Sequence, residues 1–191
     1  MTKLGISPSQ TVGPFFAFGL TPDKGSTFSN DLTDASVAGE RVRIAGRLTD
    51  GDGAPIGDAV IEIWQADAEG RYAHPRDPRG GANSRFTGFG RTAVDAAGEY
   101  AFATIKPGQV PGPGGVNQAP HISVSIFARG FLNRLHTRIY FADEAANAND
   151  PVLALLPDFA RETLMATRGD DGVYRFDIRV QGARETVFFE S

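Results

Sequence analysis

From Arg41 onward the chain is cut into short runs of alternating polarity, each closed by a cluster of Gly, Pro or Asp. That pattern constrains the fold more than any other feature. A side-chain period of two puts successive residues on opposite faces of a strand, and turn formers this close together leave no room for long helices. In Arg41 to Thr49, Val42, Ile44 and Leu48 fall on one face and Arg41, Arg43 and Arg47 on the other, as a half-buried strand requires. Asp50-Gly51-Asp52-Gly53-Ala54-Pro55 then turns the chain. Further strand-like runs follow at 59–65, 86–94, 99–105, 121–127, 135–141 and 174–180, with a last one near 185–189. The spacing predicts an all-β fold, an antiparallel β-sandwich or barrel. Short helical pieces are expected only between residues 143 and 167, where alternation stops and Ala and Leu are common.

Residues 1–40 carry turn formers and little periodicity, and read as an extended N-terminal arm that must dock on its own domain or on a partner to be ordered. Residues 41–191 read as one domain. The formal charge of -4 offers no field to attract nucleic acid or an anionic membrane, so neither is expected as a partner. The absence of cysteine excludes disulfides, thiolate metal sites and cysteine nucleophiles. Residues 1–10 lack a basic start and an apolar stretch, and no apolar run approaches the ~20 residues of a membrane span, so a cytoplasmic chain is expected.

Four stretches carry candidate chemistry. In Ile63-Trp64-Gln65-Ala66-Asp67-Ala68-Glu69-Gly70-Arg71-Tyr72 a strand ends in a turn that presents Tyr72; the plainer reading is a tyrosine lying over the core. Thr104-Ile105-Lys106-Pro107-Gly108-Gln109-Val110 is a strand followed by a turn. In the run from Ala119-Pro120-His121 to Arg129, Ile122, Val124 and Ile126 share one face, and His121, Ser123, Ser125 and Arg129 the other. That polar face fits a cavity wall, a subunit interface or plain solvent. In 135–141, Leu135, Ile139 and Phe141 face the core and leave His136 and Arg138 on the opposite side. Glu62, His74 and Asp77 read as surface features.

Together, in this order, the four stretches resemble the intradiol ring-cleaving dioxygenases, whose catalytic members hold non-haem iron(III) through two tyrosines and two histidines. The resemblance runs from Ser9-Gln10-Thr11 to Arg184-Glu185-Thr186-Val187-Phe188-Phe189, through Phe127-Ala128-Arg129-Gly130 and Tyr174-Arg175-Phe176-Asp177. Tyr72 matches the first family tyrosine, after Trp-Gln-Ala, and His121 the first histidine, after Ala-Pro. Val110 stands where the second tyrosine belongs, and Ser123 where the second histidine does. Iron(III) is a hard ion that favours anionic oxygen donors; valine has no donor atom, and a neutral serine hydroxyl is a poor replacement for imidazole. The resemblance therefore implies a vestigial ligand set, with no metal and no catalytic group held by this chain.

This pattern is similar to the iron-free subunits of the family's heteromeric members. By that resemblance, the Fe(III) belongs to a β-type partner in an (αβ)n assembly, and protocatechuate binds at a shared pocket. Thr11, Gly13 and Pro14 match an arm that reaches the pocket, and Arg129 an arginine near it. A planar arginine fork suits a substrate carboxylate. Three alternatives stay open on the residues alone. They are a non-enzymatic transthyretin-like binding sandwich, a homomeric intradiol dioxygenase, and a zinc site from His74, His121 and His136, for which no ligand spacing speaks.

Overall fold

The computed structural model describes residues 5–21, 29–79 and 86–190. Among the described residues eleven strands run in chain order: β1 (Arg41–Thr49), β2 (Ala59–Trp64), β3 (Phe89–Ala93), β4 (Glu99–Ile105), β5 (Val110–Pro111), β6 (Asn117–Gln118), β7 (His121–Ala128), β8 (Leu135–Phe141), β9 (Met165–Arg168), β10 (Val173–Arg175) and β11 (Ile178–Arg179). Two single-turn helices, α1 (Phe16–Leu20) and α2 (Asp158–Glu162), and three 3₁₀ turns complete the described elements.

The β3-β2-β7-β8 ladder forms one layer, and β4, β1, β10 and β9 the other; β9 joins them by pairing with both β8 and β10. Ile61, Ile63, Val124, Ile126 and Ile139 of the first layer share one buried cluster with Ile44, Leu48, Phe102 and Tyr174 of the second. Each such side chain contributes about 1.5–3 kcal/mol by leaving water. The faces read from alternation in β1, β7 and β8 are the faces observed.

The all-β class is as expected, but the pairing is mixed rather than purely antiparallel: β1 pairs in parallel with β10 and β11, and β8 with β9. Four expected elements change. The run 86–94 is a strand only over β3, because Gly88 at φ 72 brings the chain against the Gln65 carbonyl. The run 174–180 breaks at Phe176 and Asp177, where the Asp177 carboxylate accepts the Arg47 backbone N–H at 2.9 Å in place of a ladder carbonyl. Residues 185–189 join no ladder; Thr163 accepts the Val187 N–H through its hydroxyl, and Thr137 donates to the Val187 carbonyl. Met165–Arg168, inside the stretch expected to be helical, is a strand drawn onto the edge of β8, while short helical turns fill the rest of that stretch.

Within residues 1–40, the part nearest the domain is pinned to it. Ala103 and Asn30, and Leu32 and Ala103, exchange backbone hydrogen bonds, and Val37 is buried. Further out, Thr11 accepts the Gly130 N–H at 2.7 Å, and the α1 carbonyl of Leu20 accepts from Arg91.

Candidate functional site

Two loops and one sheet row enclose a cavity of about 930 Å³ on the side of β7 away from the core. The sheet row is Trp64, Ser123 and Arg138, directly opposite one another on β2, β7 and β8. His121 enters at the start of β7, beside its cross-strand partner Tyr140. The loops bring Tyr72 from one side and Val110 from the other.

The loops can cross because both are glycine-bearing at the contact. Gly70 sits at φ +75, and a Cβ there would lie 1.9 Å from the Gln109 carbonyl oxygen; a Cβ on Gly108 would lie 2.6 Å from both Ala68 O and Gly70 N. The Gly108 N–H donates to Asp67 O at 2.8 Å. Asp67, 5% exposed, accepts the backbone N–H groups of Glu69 and Arg71 and pairs with the Arg71 side chain. Gln65 fastens the same corner from inside: its amide donates to Ala66 O and Ile105 O and accepts from the Thr104 hydroxyl. The Trp-Gln-Ala and Lys-Pro-Gly stretches thus form one buried joint, which presents Tyr72 and Val110.

Tyr72, Val110, His121 and Ser123 therefore all line one cavity. Trp64 stacks on Tyr72 with ring centroids 6.1 Å apart and planes within 6°. Burial pushes the Tyr72 phenol up, against the opposing influence of Arg138 and Arg79, so it stands neutral at pH 7. His121, 4% exposed, donates from Nδ1 to the Ala119 carbonyl at 2.8 Å, which leaves Nε2 with its lone pair. Burial, reinforced by Arg138, depresses its pKa to about 4. The Ala119 N–H is in turn held by the buried Asp150 carboxylate at 2.7 Å.

Sequence reasoning did not assign Arg138 to the cavity. It lines the cavity and donates from Nη1 to Gln118 Oε1 at 2.7 Å and Tyr140 Oη at 3.3 Å. No carboxylate among the described residues pairs with it. Its position on the polar face of β8 was legible; that this face closes a cavity depends on the loops. His74 and Asp77 both border the cavity; His74 is exposed, as a surface residue should be, whereas the Asp77 side chain is buried. Asp77 accepts the Tyr72 N–H at 2.8 Å and pairs with Arg79 at 2.6 Å, and the Arg79 hydrogen bonds hold its carboxyl well below the usual carboxylate range. Glu62 is likewise engaged, in an ion pair with Arg91 at 2.6 Å. His136 is separated from His121 along the ladder, pairing with Ser125, so the three histidines do not converge.

The donor set does not fit iron(III). Of the four positions that the resemblance matched to iron ligands, Val110 has no donor atom and Ser123 only a neutral hydroxyl, and a cationic Arg138 borders the same space, which opposes a trivalent ion. Among the described residues no group of three or more His, Asp or Glu is arranged to hold a metal.

Thr11, Gly13, Pro14 and Arg129 lie elsewhere. The Thr11 hydroxyl meets Gly130, next to Arg129, just beyond the far end of β7 from His121. Roughly 25 Å of extended strand separates the two ends. Thr11, Gly13, Pro14 and Arg129 are all exposed, and Arg129 is ion-paired through Nε with Asp58. A Cβ on Gly13 would meet nothing within 4 Å.

With this architecture in view, comparison with known proteins places the chain in a class. A family model described as Dioxygenase matches residues 11–182, and the chain belongs to that family, the intradiol dioxygenases. Among its relatives, the protocatechuate 3,4-dioxygenase alpha chain of Burkholderia cepacia is 46% identical over the whole of both chains. The beta chain from the same organism is 35% identical over 82% of this chain and 71% of its own. Among solved structures, the dioxygenase domain of a carbohydrate-binding fusion protein from Streptomyces sp. SirexAA-E is similar with a TM-score of 0.62 and 26% identity, covering 93% of this chain and 100% of that one. Among the described residues no helix is long and apolar enough to cross a membrane.

Proposed function

We propose that the chain is the iron-free, α-type subunit of a protocatechuate 3,4-dioxygenase and works in an (αβ)n assembly whose β-type subunit holds the Fe(III). The assembled enzyme adds O2 to protocatechuate, breaks the bond between the two hydroxylated carbons and yields 3-carboxy-cis,cis-muconate. One observation carries this reading: the four positions that correspond to the family's ligands converge on one cavity, and only Tyr72 and His121 retain ligand chemistry. Near-complete similarity to an alpha chain at 46%, against 35% to a beta chain, supports the same assignment.

In this reading Arg129, Thr11, Gly13 and Pro14 form a surface that the chain lends to the partner's pocket. Their exposure, and their position at the opposite end of β7 from the chain's own cavity, suit that role. A guanidinium offers parallel donors to the substrate carboxylate, and a glycine lets backbone approach a ligand closely.

Co-expression with the β-type chain, followed by pull-down, iron analysis and oxygen uptake, tests the proposal. It predicts a one-to-one complex that consumes O2 with protocatechuate and holds iron in proportion to the β-type chain. Oxygen uptake by the isolated chain, or failure of the two to associate, contradicts it.

A further inference from the structure

The cavity around Tyr72 and His121 is more than a relic of lost ligands, because its charge has a consistent sign. Among the described residues Arg76, Arg79 and Arg138 line it, against the one carboxylate of Asp77. This positive basin lies in a chain whose formal charge is -4. Asp77 is already committed to Arg79 and to the Tyr72 N–H. Tyr72 stands as a phenol and His121 as a neutral imidazole, so neither offsets the arginines.

Arg138 is the part-buried arginine of the cavity, with the Phe189 ring 5.6 Å from its Cζ. Its Nη1 hydrogens reach Gln118 and Tyr140, and those two bonds fix the guanidinium plane. The hydrogens on Nε and Nη2 meet no acceptor among the described residues. A half-buried guanidinium held in one orientation, with parallel donors to spare, is suited to two-point recognition of a carboxylate. Two further walls are flat and apolar, the stacked Trp64 and Tyr72 rings on one side and Val110 and Pro111 on another, while Gln118, His121 and Ser123 add neutral polar groups. Replacement of a phenolate donor by Val110 leaves a wall that favours an uncharged hydrocarbon body.

We infer that this cavity is a binding site for a small organic carboxylate with a flat apolar body, held by Arg138 at its charged end and by Trp64 and Tyr72 along its face. The ligand binds without metal and without chemistry at the site. Within the enzyme proposed above it is a second site, carried by this chain alone.

Trp64 is the one tryptophan of the chain, so its fluorescence reports occupancy of this cavity. The purified full chain is titrated with benzoate, and in parallel with benzamide, which has the same ring without charge, and with sodium sulfate, which has charge without the ring. The expected result is saturable quenching by benzoate, at least about tenfold weaker with benzamide or sulfate, as loss of a charge-assisted pair or of the apolar contact predicts. Arg138→Gln reduces benzoate affinity by about tenfold or more, and Arg138→Lys restores part of it. Quenching that is linear and unsaturable, or equal for benzoate and benzamide, overturns the proposal; equal affinity for sulfate overturns its apolar half. The wild-type comparison needs no variant to fold. Iron bound by the chain would be seen in metal analysis rather than in this titration, so the iron-free reading and the carboxylate site fail independently.

Discussion

His121 opens β7 and Arg129 lies just beyond its far end, and the two side chains sit in contrasting surroundings. His121 is buried and neutral, with its Nδ1 proton on a backbone carbonyl. Its pKa falls from an ordinary value near 6.5 to about 4 on folding. Between those values the unfolded chain binds a proton that the folded chain refuses, so stability is greatest above about pH 6.5 and declines as pH falls toward 4, by up to about 3 kcal/mol from this residue alone. Urea melts at pH 7 and pH 4.5 check this, and His121→Phe flattens the difference. Arg129, by contrast, is 56% exposed and pairs with Asp58, itself 39% exposed. A surface pair of this kind is worth about 0–1 kcal/mol. Arg129→Ala is therefore expected to leave the melting temperature almost unchanged while lowering kcat/KM for protocatechuate in the assembled enzyme by about tenfold; unchanged steady-state constants count against its role.

At the level of elements, the site depends on loops that contain no regular structure. Gly70 and Gly108 allow the Tyr72 and Val110 loops to touch, and Gln65 bolts them to β4. Gly70→Ala adds a Cβ 1.9 Å from a backbone carbonyl at a positive φ, and should cost about 2–4 kcal/mol, read by urea denaturation. Gly13→Ala, with open space around it, should leave the chain's stability unchanged and act only on turnover of the complex. These contrasts also mark what was legible in the sequence. The strands and their buried faces followed from alternation, because period two is a local property. The break at Asp177 did not, since it turns on the Asp177 carboxylate accepting a backbone N–H from Arg47, 130 residues away. Nor did β9, whose helix-forming Met165 and Ala166 are overridden by the open edge of β8. Tyr72, Val110, His121 and Ser123 were found through motif order, whereas Arg138, Asp77 and Gln118 became part of the site only through tertiary closure.

For the whole molecule, the fold keeps the family's scaffold, and in the reading proposed above its cavity has lost the donor set of a metal site. The scaffold needs only the joint of Gln65, Gly70 and Gly108 and the two-layer core; neither depends on what position 110 or 123 carries. The core and the cavity are held by different contacts, so the proposed role as a subunit that lends surface to a partner's site requires no change in the core.

Whether this cavity retains iron(III) is read by metal analysis of the purified full chain, after incubation with ferrous iron in air and removal of loose metal by a chelator. The account predicts far less than one iron per chain and no visible tyrosinate-to-iron charge-transfer band, with both appearing once the β-type chain is present. One tightly held iron per isolated chain, accompanied by that band, would contradict it.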